Sequence, residues 1–378
     1  MRRVVLGVVV FVLCSGTTAF AAPEPTPDVG GIQPYRGAIL VEMGTGKVLF
    51  AENDDLVWPP ASMVKIMTVL VVMDAVAAGE VSLDDPVTAS KHAEGMGGTQ
   101  VWLAAGERFP LRALLEAVLV GSANDAAVAV AEHVAGDVPS FVGRMNAKAA
   151  ALGMNETELQ SVHGLPPSKG QTVDLTSPRD LAKAATALRA YPEIWKWAST
   201  KEAPFRDGKF TLRTTNWLLH WYPGITGLKT GFINLSGFGV TATAERDGLA
   251  LVAVVMGAAG KRSSLGEASR LLDYGFAAFR IVEPVKQGAD VGAEISVSGG
   301  TEPFFRGRAA DGIRMLISQE EAQGLAVEVR VPGQLPAPIT QGQVVGAVVL
   351  KRGEEEVGRV DVLAPRNIES VGLLGGLW

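Results

Sequence analysis

Cysteine is almost absent from this 378-residue chain. The single cysteine, Cys14, lies in an N-terminal apolar segment that we expect to be removed from the mature protein. The residue before it, Leu13, is not the small residue that lipoprotein processing requires. The mature chain therefore forms no disulfide and has no thiol nucleophile.

Positive charge is not in excess either. The net charge is −6 over the whole chain and −8 once Arg2 and Arg3 are removed. This balance disfavours nucleic acid or an anionic membrane surface as the main partner. The four histidines show no metal-ligand spacing, so the sequence predicts no metal site and no cofactor.

The N-terminus has the three parts of a secretory signal peptide. Two arginines precede the apolar run Val4–Leu13, and small residues follow at Ala19 and Ala21. The apolar run is too short to span a bilayer. We therefore expect residues 1–21 to be cleaved and the protein to be exported, to the periplasm or to the outer face of the cytoplasmic membrane and the cell wall.

Both ends of the mature chain carry short segments without a strong pattern. Residues 22–36 are rich in proline and glycine and are predicted to be a flexible leader. Residues 366–378 form a short apolar tail in which Arg366 is the only basic residue. Because an interfacial anchor normally combines apolar and basic residues, we expect membrane association to be weak or absent.

Strand patterns occur at both ends of residues 37–282, and helical patterns lie between them. Gly37–Met43 and Val48–Ala51 flank a tight turn, and a second hairpin joins Val240–Ala244 to Leu249–Val255. Residues 61–188 show mainly helical spacing. The pattern predicts an α+β domain, with one antiparallel sheet built from both chain ends and an inserted helical lobe.

Residues 283–365 have a different character. Short alternating segments such as Leu325–Val331 and Val344–Leu350 are separated by glycine and proline. This pattern predicts a small all-β domain after the first domain.

Ser62 and Lys65 are the first candidate pair, within the segment 60–68 (PASMVKIMT). Side chains three residues apart lie on the same face of a helix, and two preceding prolines suit its first turn. A serine becomes a nucleophile when a base takes its proton, and burial can lower the pKa of a lysine enough for that role. The pair alone is not specific, because an N-cap serine beside a lysine that reaches solvent would look the same.

Two further motifs follow in the chain. Ser122-Ala123-Asn124 lies between two helical stretches without a proline, and Lys229-Thr230-Gly231 leads into a strand. Each alone has a structural explanation, as a helix cap or as part of an edge strand. The order Ser-x-x-Lys, Ser-x-Asn, Lys-Thr-Gly is the active-site triplet of the penicillin-recognising serine acyltransferases.

On these motifs the chain resembles the D-alanyl-D-alanine carboxypeptidases, which are low-molecular-mass penicillin-binding proteins. The likeness runs from about Gly37 to Pro365, and His163–Leu165 and Gln341–Gly346 also fit the family. The resemblance implies the penicillin-binding-protein/β-lactamase-like transpeptidase fold followed by a small all-β domain. It also implies a hydrolase of peptidoglycan synthesis and cell shape that removes the terminal D-Ala from pentapeptide stems. Such an enzyme is inhibited covalently by β-lactam antibiotics such as the penicillins.

The resemblance implies a role for each motif residue near the reacting bond. Ser62 would carry the acyl group, and Lys65 would be its general base. Ser122 would relay a proton to the leaving nitrogen with help from Lys229. Asn124 would hold the substrate amide.

The resemblance also implies the groups that bind the substrate carboxylate and the oxyanion. Lys229, Thr230 and Gly231 would bind substrate, and the backbone N–H groups of Ser62 and Phe232 would form the oxyanion hole. The family usually has an arginine eight residues after the position of Met256, where this chain has Ser264. We expect Arg262 to take its place and Ser264 to cap a helix over Leu265–Phe279, with Glu267 completing a capping box.

Three other functions fit parts of the pattern. A serine β-lactamase shares the triplet and needs a base near the ester, and Glu156–Gln160 (ETELQ) resembles the segment that supplies it. A DD-endopeptidase of the same fold and a non-catalytic cell-wall-binding protein are further alternatives. The chain has Gln160 where the lactamase segment has asparagine, and the intact Ser62 and Lys65 disfavour a non-catalytic protein.

Overall fold

A computed structural model describes residues 34–167, 170 and 172–372. The predicted signal peptide, leader residues 22–33 and tail residues 373–378 lie outside the described residues. The described chain forms two compact units, which divide between Ala277 and Ala278.

The first unit contains strands from both of its ends and helices between them. Its strands are β1 (Gly37–Glu42), β2 (Val48–Glu52), β3 (Pro86–Thr88), β4 (Arg108–Pro110), β5 (Glu202–Phe205), β6 (Phe210–Arg213), β7 (Ile225–Ile233), β8 (Gly237–Arg246) and β9 (Leu249–Ala258). Its helices are α1 (Lys65–Ala77), α2 (Lys91–Glu94), α3 (Leu111–Val120), α4 (Asn124–Ala135), α5 (Val138–Ala151), α6 (Pro178–Ala187), α7 (Pro192–Ala198), α8 (Leu218–Trp221) and α9 (Lys261–Ala278). Short 3₁₀ turns cover Ala61–Val64 and Leu188–Ala190.

The main sheet has five antiparallel strands in the order β2-β1-β9-β8-β7. Its first two strands come from the start of the unit and its last three from the end, which confirms the predicted architecture. The helical segment between them supplies α1 and α3–α5. Strand β7, which carries Lys229-Thr230-Gly231, therefore lies at one edge of the sheet.

Continuous apolar segments form the centre of this unit. Every residue of β9 except Gly257 is buried, as expected for a strand covered by other elements. In α1 all residues from Lys65 to Met73 are buried, so this helix is surrounded by the protein on all sides. A lysine at the start of such a helix has little access to water.

Helix α9 begins earlier than the sequence predicted. It starts at Lys261, so Ser264 lies inside its first turn and the predicted capping box is wrong. The Ser264 hydroxyl donates to Lys261 O, whereas Ser263 Oγ accepts from Gly260 N and donates to Gly260 O. Ser263, one residue before the predicted cap, makes the bonds that close this turn, because a hydroxyl can satisfy a free N–H at a helix start.

The second unit is built from strands over the described residues. They are β10 (Phe279–Val285), β11 (Asp290–Ser298), β12 (Phe304–Ala309), β13 (Ile313–Ser318), β14 (Leu325–Arg330), β15 (Gln334–Pro336), β16 (Val344–Arg352) and β17 (Glu355–Leu363). Six form a sheet in the order β14-β16-β17-β12-β11-β15, and β10 pairs with β13. This agrees with the predicted all-β domain.

The first part of the predicted tail belongs to the second unit. Ile368 pairs with Ile339 and Ser370 with Gly300, while Arg366 forms an ion pair with Glu302. Over the described part of the chain, no helix has the length and apolar character needed to cross a membrane.

Candidate active site

The turn that carries Ser62 is fixed on both sides before α1 begins. Trp58 pairs with Thr176 through two backbone hydrogen bonds, and its indole N–H donates to Ser236 O (2.8 Å). Met63 N then donates to Pro60 O in the 3₁₀ turn, which places Ser62 one turn before α1. Because the free N–H groups of a helix start point toward this turn, developing negative charge is favoured there.

Lys65 is fully buried and its amine has three acceptors. Lys65 Nζ lies 3.2 Å from Ser62 Oγ, 2.7 Å from Asn124 Oδ1 and 2.7 Å from the backbone carbonyl of His163. Asn124 Oδ1 and the His163 carbonyl can only accept, whereas the Ser62 hydroxyl can also donate. An uncharged amine, which has two protons, can therefore donate to the first two and turn its lone pair toward Ser62 Oγ. The sequence predicted the first contact; the carbonyl of His163 was not predicted.

The pKa values of the two buried lysines are both depressed. Burial lowers the pKa of Lys65 well below its ordinary value, and the positive charge of Lys229 lowers it further. The charges of Asp174 and Asp125 act in the opposite direction. Burial also lowers the pKa of Lys229, to about 7. Both the burial of Lys65 and the nearby charge of Lys229 favour the uncharged amine beside Ser62, which is the form that a proton acceptor requires.

Ser122 and Asn124 are held in a strained turn between α3 and α4. Ser122 is buried with a φ of 60°, in the left-handed region that non-glycine residues seldom adopt. Asn124 N donates to Thr99 O, and its side-chain Nδ2 donates to Gly97 O (2.8 Å). The amide that accepts from Lys65 is thus fixed at its other end by residues 97–99.

Asp125 fixes the neighbouring segment, a role that the sequence did not predict. Its carboxylate is fully buried and accepts from the N–H groups of Val101, Leu103 and Ala126. Residues 97–103 are therefore bound to the start of α4. A single acidic residue after the motif was too weak a signal to predict this.

Strand β7 brings the third motif against the Ser62 turn. A methyl group added to Gly231 would lie 2.5 Å from Pro60 O and 3.2 Å from Ser62 N, so only glycine allows this approach. Lys229 is fully buried and donates to Thr230 O, and the Thr230 hydroxyl donates to Thr215 Oγ1 (2.8 Å). The structure thus brings together the Ser62 turn, Lys65, Asn124 and the Lys-Thr-Gly strand.

Arg262 and Phe232 occupy more exposed positions. Phe232, directly after the motif, is 49% exposed and stacks on Phe238. Arg262 is exposed in the first turn of α9. Its neighbour Lys261 places Nζ 5.3 Å from the ring centre of Trp217, in the segment that also carries Thr215. Lys261 therefore contacts the segment that bonds Thr230, and the role of Arg262 stays a prediction.

Known proteins match both units of the chain. The family model described as D-alanyl-D-alanine carboxypeptidase matches residues 33–260, more than half of the chain. The chain belongs to the D-alanyl-D-alanine carboxypeptidase family. A second family model, the C-terminal domain of penicillin-binding protein 5, matches residues 279–370. A carboxypeptidase of this family, DacF of Bacillus subtilis, is 32% identical over 97% of this chain and 94% of its own length.

Solved structures of this family share the fold. Penicillin-binding protein 5 from Haemophilus influenzae superposes with a TM-score of 0.68 at 27% identity, over 91% of this chain and 99% of its own. Penicillin-binding protein D2 from Listeria monocytogenes, solved in an ampicillin-bound form, gives a TM-score of 0.60 at 28% identity, over 66% of this chain and all of its own. The two-unit carboxypeptidase fold predicted from the sequence is confirmed, and the chain is a D-alanyl-D-alanine carboxypeptidase.

Proposed function

We propose that this carboxypeptidase is a serine enzyme whose acyl group is carried by Ser62. The observation that supports this most strongly is the 3.2 Å contact between Ser62 Oγ and the fully buried amine of Lys65. Lys65 takes the hydroxyl proton while Oγ attacks the carbonyl carbon of the penultimate D-Ala. The carbon–nitrogen bond to the terminal D-Ala then breaks, and water later hydrolyses the ester.

The leaving nitrogen must gain a proton when its bond breaks. We assign this relay to Ser122, with Lys229 as the proton source, because burial lowers the pKa of Lys229 to about 7. A group with a pKa near the working pH can both give and take a proton. Asn124 Oδ1 accepts from Lys65 in the free enzyme, and we assign to the same side chain the binding of the substrate amide that its motif implies.

The negative oxygen of the tetrahedral intermediate needs fixed donors. We assign the backbone N–H groups of Ser62 and Phe232 to this role, and the close packing of Gly231 on the Ser62 turn supports the pairing of these two segments. An oxyanion-hole donor in other enzymes contributes roughly 3–4 kcal/mol to transition-state stabilisation.

The substrate ends in a carboxylate, and Thr230 is the residue that we propose to bind it. A cation from the first turn of α9 would assist, from Arg262 as the sequence suggested or from Lys261, whose amine contacts Trp217. We expect alanine at the residue responsible to raise KM for a D-Ala-D-Ala peptide about tenfold with little change in kcat, since a charge-assisted hydrogen bond is lost. Steady-state kinetics of Arg262→Ala and Lys261→Ala identify the residue. An unchanged KM in both variants would show that neither cation binds the substrate carboxylate.

The structure offers little support for the β-lactamase alternative. Both glutamates of segment 156–160 are exposed, and Glu158 accepts a hydrogen bond from the Gln160 side chain. A base for rapid deacylation would need to lie beside the buried ester. We therefore propose that β-lactams acylate Ser62 and are released slowly. A relative, penicillin-binding protein D2 from Listeria monocytogenes, was solved in an ampicillin-bound form.

The proposed substrate is a peptidoglycan stem peptide. We propose that the protein is exported, loses residues 1–21 and acts on this peptide outside the cytoplasm. We expect a soluble peptide ending in D-Ala-D-Ala to release one D-Ala per cleavage, and the same peptide with an amidated C-terminus to react far more slowly. Benzylpenicillin should be consumed in about one equivalent per enzyme. Catalytic consumption of penicillin without D-Ala release would identify a β-lactamase.

A further inference from the structure

Asp174 is a buried carboxylate that the proposed mechanism does not use. It is 3% exposed and lies shortly before α6. Its Oδ1 accepts from Gln160 N (2.7 Å) and Ser161 N (2.8 Å), and its Oδ2 accepts from the Ser161 hydroxyl (2.7 Å). Burial of an unpaired carboxylate is costly, and these three donors offset part of that cost, although burial still raises the pKa of Asp174.

The Ser161 hydroxyl, which Asp174 orients, also holds the turn that follows it. Ser161 Oγ accepts from Gly164 N (2.9 Å) and from His163 N (3.3 Å). Asp174 thus orients the Ser161 hydroxyl, and that hydroxyl closes the turn formed by residues 161–164, which we call the support loop.

The support loop lies along the start of α1 and touches it at successive positions. Thr68 Oγ1 donates to Val162 O (2.8 Å), and Lys65 Nζ donates to His163 O (2.7 Å). Gly164, with a φ of 78°, packs directly on the Ala61 carbonyl and on Ser62 N. The loop therefore contacts the nucleophile's backbone and the proposed base at once.

We propose that Asp174 is a positioning residue for the Lys65 base: it holds the support loop against α1 and supplies one negative charge near the buried amine. This inference rests on the proposed function of Ser62 and Lys65. It concerns a carboxylate that lies outside all three motifs and acts through Ser161 and the His163 carbonyl.

Three charged groups shift the pKa of Lys65, so loss of the Asp174 charge should change that pKa. Lys229 approaches from β7, Asp125 from α4 and Asp174 from the segment before α6. Burial lowers the pKa of His163 to about 3, so its imidazole stays neutral over the working pH range. Since Asp174 raises the pKa of Lys65, its neutralisation lowers that pKa further and keeps the base uncharged to lower pH.

The experiment is a pH profile of the second-order rate of acylation by a fluorescent penicillin, with D-Ala release measured in parallel. In Asp174→Asn we expect the acid limb to move down by about 0.5–1 pH unit, because the charge is lost. In Ser161→Ala the carboxylate stays but loses the hydroxyl that lowers its pKa, so we expect a smaller shift of the limb than in Asp174→Asn. In the Ser161→Ala variant the plateau of the acylation rate and kcat for D-Ala release should both fall about 10-fold or more, with a small change in KM, because the base is misplaced.

Asp180→Asn is the matched control. Asp180 is also buried in the same unit, accepts from Glu156 N and the Thr157 hydroxyl, and pairs with Lys183. It is not one of the charges that shift the pKa of Lys65. We expect Asp180→Asn to lower thermal stability without moving the acid limb. If the profiles of Asp174→Asn and Ser161→Ala, each relative to the parent, match that of Asp180→Asn, Asp174 is a structural residue only and the inference is overturned. If the parent itself is not acylated at Ser62, the proposed function fails instead.

Discussion

Replacement of Lys65 by methionine should reduce acylation by penicillin and release of D-Ala by about 10⁴-fold or more. Methionine fills a similar volume in the buried α1, but it cannot take the proton of Ser62 Oγ, which lies 3.2 Å from the amine. The oxyanion donors remain, so a small residual rate is expected. Labelling with fluorescent penicillin, followed over hours, gives the rate.

Lys148→Met provides the control for this substitution. Lys148 lies in α5, is partly exposed and pairs with Asp74, so its loss should cost about 0–1 kcal/mol of stability and leave acylation unchanged. Acylation of Lys65→Met within tenfold of the parent rate would show that another group deprotonates Ser62.

Substitution of Gly164 by alanine should have the second largest effect. The added methyl group would overlap the Ala61 carbonyl and approach Ser62 N to 3.0 Å, and the φ of 78° is itself unfavourable for alanine. Together these costs suggest a loss of about 2–4 kcal/mol in the free energy of unfolding. Because the overlap displaces the nucleophile's own turn, we also expect acylation to fall about 100-fold in the molecules that remain folded.

Gly170→Ala is the control that separates the cost of a positive φ from the cost of the overlap with the Ser62 turn. Gly170 has a φ of 89°, yet a methyl group there would have no described atom within 4 Å. It should show the conformational cost alone, about 1 kcal/mol, with normal acylation. Denaturant unfolding and acylation rates of both variants, measured well below their melting temperatures, test this. Equal acylation rates in the two variants would contradict the role given to the support loop.

The sequence was sufficient to predict the main architecture for a physical reason. Apolar runs such as Leu249–Val255 have the length and β-branched content of buried strands, and helical spacing in residues 111–134 is equally clear. The three motifs then restricted the fold to one family, in which the strands from both chain ends pair in one sheet. The structure confirms that arrangement.

The residues that support the motifs could not be predicted in the same way. His163 holds Lys65 through a backbone carbonyl, which leaves no mark in the side-chain sequence. Asp125 and Asp174 act by accepting backbone N–H groups of distant segments, and such contacts depend on tertiary structure. The start of α9 was misplaced because Ser263 and Ser264 are both chemically able to close its first turn.

The central claim is that Ser62 carries the acyl group. The most direct test is to incubate the protein with benzylpenicillin, digest it and locate the added mass by tandem mass spectrometry of the peptides. We predict one adduct per chain, located on Ser62 within segment 58–68 and stable for minutes or longer. An adduct on Ser122 or on any other hydroxyl, or D-Ala release without an adduct on Ser62, would contradict it.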